Sequence, residues 1–294
     1  MSDTIKRVTG LLIIEAVNSN PNGDPDRESD PRQRPNGHGE ISPVSFKRKL
    51  RDLLEDKDSP FFTNLPQQFQ DRKEELYILE SRGRDRPAVQ KEMAADTSKF
   101  NQDEFLKSSF VTKYWDARLF GNTFLESGAA KGFIKTGAVQ FGVGISISPI
   151  SVVRYTNTNK SGVQEGKQQG MAQLAFRVVE HGVYVMPFFV NPNFAYKTGC
   201  KTEDIDLLKA LIPYAYDLTK SAIRPDVRLR RAWWIEHQNI LGSCPDYKLF
   251  EALTPTRKEN LSDPSTSWND YEDKTELPKE IADKVESCVD LMAR

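Results

Sequence analysis

The segment Asn18 to Asp30 reads N-S-N-P-N-G-D-P-D-R-E-S-D and follows directly on the apolar run Leu11 to Val17. Three asparagines, two prolines and one glycine within Asn18–Asp26 cannot extend a strand or start a helix, and their short side chains satisfy backbone groups locally. Amides and backbone N–H groups set at the end of a buried strand suit a polar ligand. Asn18, Asn20 and Asn22 are therefore candidate ligand-facing residues. Asp24 and Asp26 bring a second chemistry, since an open carboxylate beside a phosphodiester can hold a cation for hydrolysis. A basic segment follows. Lys47, Arg48, Lys49 and Arg51 cluster just after Ser42-Pro43, where free N–H groups at a helix start already favour anions. Cations packed there oppose the helix dipole, an arrangement suited to meeting phosphate.

These groups need a strand and a helix to hold them. The near-continuous Leu, Ile and Val content of Thr9 to Val17 predicts a covered central strand. Serine as cap, proline at the first helical position and Phe46, Leu50, Leu53 and Leu54 at helical spacing predict a helix after it. From Lys57 to about Lys107 the pattern turns charged and irregular and reads as an insertion, with a short strand at Glu74–Ser81 and a basic turn at Arg82–Arg86. Order returns at Phe110, and Gly121 stops the segment that carries Trp115, Asp116, Arg118 and Phe120. Thr136 to Ile150 alternates with period two and predicts a strand.

Val152–Tyr155, a polar tip at Thr156–Gly170 and Ala172–Val179 predict an extended hairpin, with Lys160 and Lys167 as its cations. Such an exposed length implies a ligand or a neighbouring subunit to grip. Further expectations are a strand at Val183–Val190, a helix over Thr202–Ser221, a strand at Arg228–His237, a surface excursion over Thr254–Glu276 and a final helix at Lys279–Met292 with Ile281, Val285, Val289 and Met292 on one face. The order approximates β-α-β-β-α-β, the α+β plan of ferredoxin-like and RNA-recognition-motif domains. The paired aromatics with which such sheets stack bases are absent, so contacts to a nucleic-acid backbone would have to dominate.

Composition limits the alternatives. The chain has 294 residues, enough for a sizeable core, and 38% are hydrophobic, which supports a folded protein. Forty-one Lys and Arg against 42 Asp and Glu give a net charge of −1. That excludes a globally basic nucleic-acid binder but permits a local basic groove. No apolar run is long enough to span a bilayer, and the first ten residues lack the apolar core of a secretory signal. No membrane association and a cytoplasmic location are expected. Cys200, Cys244 and Cys288 are far apart with no CxxC pair, so reduced thiols and no zinc site are expected. No other metal or cofactor is expected either.

At this point the chain resembles a known family, the backbone subunits of CRISPR-associated type I effector complexes (Cascade), in the repeat-associated RAMP superfamily, with subtype I-C nearest. The resembling motifs are N-S-N-P-N-G-D-P-D at Asn18–Asp26, G-H-G at Gly37–Gly39 and S-F-K-R-K-L-R at Ser45–Arg51, then K-Y-W-D-A-R-L-F-G at Lys113–Gly121, T-G-A-V-Q-F at Thr136–Phe141 and L-G-S-C-P-D-Y-K-L-F at Leu241–Phe250. The resemblance implies one elaborated domain over 1–294. A palm with the RNA-recognition-motif fold would occupy 1–56, 110–152 and 180–294, the last part including a C-terminal excursion. Fingers would be inserted at 57–109, and a thumb hairpin would span 153–179. It implies copies stacked along CRISPR RNA, beside other Cascade subunits, presenting the guide to pair with target DNA in antiviral defence.

On that resemblance Asn18, Asn20, Asn22, Lys47, Arg48 and Arg51 would line the RNA path, Arg118 and Gln140 fall in matching motifs, and Lys160, Lys167, Met171 and Arg177 are candidate thumb contacts. A protein holding any guide should contact phosphates and sugars and leave base edges free. The expectation is a scaffold, not an enzyme. Two enzymatic alternatives stand beside it. One is a type III-like backbone subunit that cuts RNA with metal at Asp24 or Asp26. The other is a guide-processing endoribonuclease with His38 as general base.

Overall fold

The computed structural model describes residues 5–83, 87, 106–121, 136–161, 170–259 and 262–293, and over 157–175 the backbone alone. The architecture is mixed α/β, built on a large antiparallel sheet. Its strands are β1 (Val8–Ser19), β2 (His38–Ile41), β3 (Val139–Phe141), β4 (Gly144–Pro149), β5 (Val152–Ser161), β6 (Gly170–Val190), β7 (Val227–His237) and, after a small β8 (Thr256–Arg257) and β9 (Tyr271–Glu272) pair, β10 (Val285–Asp290). Four helices concern the site: α1 (Pro43–Glu55), α2 (Trp115–Phe120), α3 (Thr202–Leu211) and α4 (Asp246–Leu253).

The 21-residue strand β6 is the spine. One edge pairs with β1 from Val8↔Val190 to Ser19↔Val179. The other edge is divided among β5, β4 and β3. Across the sheet the path runs β10-β7-β1-β6-β4-β2. β1 thus lies between two strands from much later in the chain, β7 and β6, and β7 between β10 and β1, so each long strand is tied to distant sequence.

β1 is covered on both faces, which explains its unbroken apolar run. Leu12, Ile14 and Ala16 join Phe46 and Leu50 of α1 and Leu207, Leu208 and Leu211 of α3 in one core. Leu11 and Ile13 face the opposite way, into a second cluster with Trp233, Ile235, Leu249 and Leu253 of α4, and Tyr271. The second face, left open to stack bases in many β-α-β-β-α-β sheets, is closed here by the C-terminal segment. Packing is tight enough that Gly10 is required: a Cβ there would fall 2.0 Å from the Phe188 ring.

The K-Y-W-D-A-R-L-F-G motif is a structural bracket. Arg118 is fully buried and grips the equally buried Asp204 at the start of α3 through Nε and Nη2, both at 2.8 Å. Its remaining donors reach the carbonyls of Val111, Thr112 and Glu75. Asp116 accepts from Arg51 at 2.8 Å and from the Leu79 and Glu80 N–H groups. Trp115 donates to the Asp204 carbonyl at 3.3 Å. The bracket locks α1, α2, α3 and the segment before residue 83 into one body.

Several expected elements differ. Lys279–Met292 is helical only over Lys279–Ala282; Val285–Asp290 pairs with β7, because the Trp233–His237 edge offers unpaired backbone and Asp290 accepts from the Ala232 N–H at 2.9 Å. Val289, expected on the buried face, is exposed. The helix from Thr202 ends at Leu211 in a 3-10 turn holding Pro213, which has no N–H to continue the ladder. Glu74–Ser81 is no strand but a 3-10 turn followed by one bridge, Tyr77 to Tyr114. The strand expected over Thr136–Ile150 breaks into β3 and β4, and the two strands expected at Ala172–Val179 and Val183–Val190 are one. Phe62, Leu65, Phe69, Leu76 and Ile78, from the expected insertion, belong to the main core, while 84–86 of the expected basic turn lie outside the described residues.

Replacing Arg118 by Ala strands three carbonyls and leaves the buried Asp204 carboxylate to Arg72, at 3.1 Å, and the Lys201 N–H, at 3.0 Å, and should cost about 3–5 kcal/mol in denaturant-induced unfolding. A loss below about 1 kcal/mol would show that the bracket does not hold the fold.

Candidate nucleic-acid interface

At the end of β1 the chain leaves the sheet through Asn18, exposed and with φ 43°, a left-handed conformation that asparagine tolerates. Asn20 is buried; its Nδ2 donates to the Ser29 carbonyl at 2.8 Å and its backbone N–H to the Ile223 carbonyl at 2.7 Å. Asn22 turns inward, accepting from the Ser42 N–H at 2.6 Å, and so seats the loop on the start of α1, where Ser42 caps Ser45. Asp24 caps the one-turn helix Pro25–Arg27, accepting from the Asp26 N–H at 3.2 Å, and stands 3.8 Å from Arg32. His38 uses Nδ1 on the Ser146 carbonyl, at 2.7 Å.

The α1 cations fall into two sets. Arg48 is bound to Asp52 at 2.8 Å and Glu55 at 2.7 Å. Arg51, only 3% exposed, is bound to Asp116 at 2.8 Å and Glu80 at 3.0 Å. Lys47 lies over the Phe120 ring at 5.3 Å, and burial, with Arg51 beside it, lowers its pKa. Lys49 is buried, with a single long contact to the Thr219 carbonyl at 3.4 Å. Neither lysine forms an ion pair among the described residues.

The hairpin base forms the other wall. Arg154 of β5 and Arg177 of β6 are directly opposed in register. Two like charges so placed repel, and the loop supplies the counter-charge: Asp30 pairs with both, at 3.4 Å from Arg177, and Glu28 pairs with Arg177. Between them opens a polar cleft of about 330 Å³ lined by Arg27, Asp30, Pro31, Gln33, Val152 and Arg154. Arg27 is exposed, and its guanidinium is unpaired among the described residues.

The structure thus brings together the Asn-rich loop, α1 and Arg177. Arg118 and Arg51 have protein partners that account for their placement, Asp204 and three carbonyls for Arg118 and the Asp116 and Glu80 carboxylates for Arg51. Arg48 and Asn22 have protein partners that account for their placement. Gln140, half-buried in β3, donates to the Gly137 carbonyl at 3.0 Å. Lys160 and Met171 are opposed in the hairpin register, and Lys167 lies outside the described residues. Arg154 and Arg224 escaped the sequence reading. Arg154 becomes visible only once register sets it against Arg177, and no local signal marks Arg224.

Residues 6–276 match the CRISPR-associated protein Cas7 family, and the chain belongs to it. A CRISPR-associated protein Cas7 from Haloferax volcanii is 25% identical over 230 residues, 71% of this chain and 63% of that protein, so the match spans less than two thirds of its length. Among solved structures, a chain of a CRISPR RNA-guided surveillance complex aligns at TM-score 0.44 and 14% identity, over 79% of this chain and 69% of the other. A chain of a type III-B Cmr-beta complex bound to cognate target RNA aligns at TM-score 0.41 and 10% identity, over 79% and 61%.

Burial first, and Arg224 second, lower the Lys49 ammonium from 10.5 to about 8, and burial likewise lowers Lys57 to about 8. Both bind fewer protons folded than unfolded between those values, so stability should rise as pH increases through that window. Burial raises Tyr184 and Tyr216, and the stability their protonated forms contribute is lost above the unfolded value of 10, which bounds the rise. Denaturation midpoints measured from about pH 8 to about pH 9.5 should climb, and Lys49→Met should flatten part of the slope. A flat profile in the unaltered protein would contradict these assignments.

Proposed function

We propose that this chain is the RNA-binding backbone subunit of a type I CRISPR effector complex, polymerising along the guide RNA and holding it open for pairing with target DNA. The observation that carries this reading is the convergence, where β1 ends, of the Asn-rich loop, two α1 lysines without carboxylate partners among the described residues and the arginine pair at the hairpin base. A wall of cations and amides grips phosphate and sugar and ignores base identity. Such a scaffold leaves the guide free to supply sequence specificity.

The sheet supports a palm of the RNA-recognition-motif kind. Taking β1, β3 with β4, β6 and β7 as its four strands, the spatial order is fourth, first, third, second, with α1 and α3 packed on one face. The β5–β6 hairpin is the thumb, reaching a neighbouring copy, and the segment between α1 and α2 forms the fingers. Other subunits of the complex complete the particle, which works in the cytoplasm with subtype I-C nearest in sequence. Asp24 serves the loop turn and Arg32, and His38 serves β4, so both have structural employment without catalysis.

Paired replacement of Lys47 and Arg154 by Ala should weaken binding of unrelated RNA sequences alike and reduce the slope of log affinity against log salt by about one to two. Guide and complementary RNA should stay intact with magnesium, in the unaltered protein and in Asp24→Ala. An unchanged salt slope would remove the proposed groove, and cleavage lost in Asp24→Ala would make the protein an RNase.

A further inference from the structure

The L-G-S-C-P-D-Y-K-L-F motif at Leu241–Phe250 takes no part in the proposed groove, and the structure gives it another task. Its first half closes the loop between β7 and α4, which carries Ile240 and Leu241, 52% and 82% exposed. Local bonds hold this apolar knob in water. The Leu241 N–H donates to Asn239 Oδ1 at 3.0 Å, and Arg7, before β1, donates to the Leu241 carbonyl at 2.7 Å. Gly242 has φ 99°, in the region that favours glycine, and a Cβ on it would lie 3.0 Å from the Arg7 guanidinium. The inner tie is His237, the last residue of β7, 1% exposed.

Its two ring nitrogens have fixed and opposite roles. The Thr9 hydroxyl donates to Asp246 Oδ1 at 2.6 Å, so Thr9 Oγ1 accepts from His237 Nε2, 2.9 Å away, and the ring proton sits on Nε2. Nδ1 is left as an acceptor, and the Ser243 N–H donates to it at 3.0 Å. A backbone N–H cannot reverse its role. Protonation of Nδ1 sets two N–H groups against each other, and the Ser243 hydroxyl, at 3.3 Å, takes the new proton only if the Gly242–Ser243 peptide swings away. The charged groups that face the ring are Arg7, before β1, and Asp246, on α4. Burial first, and Arg7 second, lower the ring's pKa, against the raising field of Asp246, 3.8 Å from Nε2. Glu236, beside His237 on β7, lies toward the other face of the sheet, where Lys6 and Lys209 hold it. On β10 the uncharged Val285 stands opposite His237.

We propose that His237 is a proton-operated latch on the loop between β7 and α4. Neutral, its Nδ1 lone pair holds the Ser243 N–H and keeps Ile240 and Leu241 in place; protonated, it expels that N–H and frees the loop, while β7 stays paired with β1. The closed loop admits no proton at Nδ1 and the open loop leaves the ring in water, so opening takes up a proton. A histidine in water titrates near 6.5. The loop is therefore closed at neutral pH, and its opening grows as pH falls below that value. The charge of one buried ring sets the display of an apolar knob, independently of any RNA.

The test uses the full chain without RNA. Nitrogen-15 correlation spectra of the imidazoles at neutral pH should show His237 as the Nε2–H tautomer. Amide hydrogen exchange, corrected for the intrinsic rate at each pH, should show the Ser243 N–H losing about tenfold in protection between about pH 7.5 and about pH 5.5, with the Trp233 and Ile235 amides of β7 unchanged. His237→Asn, whose amide oxygen takes the place of Nδ1 as acceptor, should keep the loop protected at both pH values. Should that variant fail to fold, the tautomer and the exchange of the unaltered protein still decide. An Nδ1–H tautomer at neutral pH, or equal Ser243 protection at the two pH values, would overturn the latch. So would a loss of protection shared equally by β7, which is acid unfolding of the whole chain, and so would an unaltered pH dependence in folded His237→Asn.

Discussion

Burial of β1 on both faces is the constraint from which the rest follows. Leu12, Ile14 and Ala16 are held by α1 and α3, and Leu11 and Ile13 by α4 and the C-terminal segment. From Val8 to Ala16 the strand has no solvent-facing side chains to meet a ligand, so the proposed recognition groups gather where it ends. The loop from Asn18 onward does this, and it is seated by Asn22 on α1 and by Asn20 on the turn before β7. The C-terminal cover also removes the sheet face on which related topologies stack bases. On the proposed function, backbone contact at the strand's end is the mode of recognition this fold favours.

The basic motif divides according to the company its residues keep. Arg51 and Arg118 sit in buried ion pairs, Arg51 with two carboxylates and Arg118 with a carboxylate and three carbonyls, and these pairs fix α1, α2 and α3 relative to one another. Removing one partner of such a pair leaves a charge stranded, so the bracket resists change even if its net contribution to stability is small. Lys47 and Lys49, on the same helix, pair with no carboxylate among the described residues. Arginine does the structural work because its planar fork meets several acceptors at once, while the lysines hold single charges near the loop. A near-neutral chain can thereby carry a local positive wall.

Much of the framework was legible in sequence. The Leu, Ile and Val run of β1 and the Ser-Pro start of α1 each combine composition with a boundary signal, and each element stands where these signals set it, while β5 runs on to Ser161, past Tyr155, after which the polar tip is expected. The final segment misled because Ile281, Val285, Val289 and Met292 fit helical spacing, whereas an unpaired edge of β7 decides the outcome. Trp115, Asp116 and Arg118 read as a motif of mixed purpose, since sequence cannot say that Asp204, 86 residues away from Arg118, lies against it. The same limit hid Arg154 and Arg224, whose placement depends on strand register and on a turn between distant elements. Lys49 was visible within the basic cluster, but its lack of a counter-ion is a property of the folded state.

Assembly of copies of the chain on RNA as a repeating scaffold, as proposed, can be read from the native mass of particles formed on RNAs of stepwise increasing length. The account predicts masses that climb in increments of one 33.4 kDa chain for each fixed addition of nucleotides, on any sequence. A single chain per RNA at every length would contradict it.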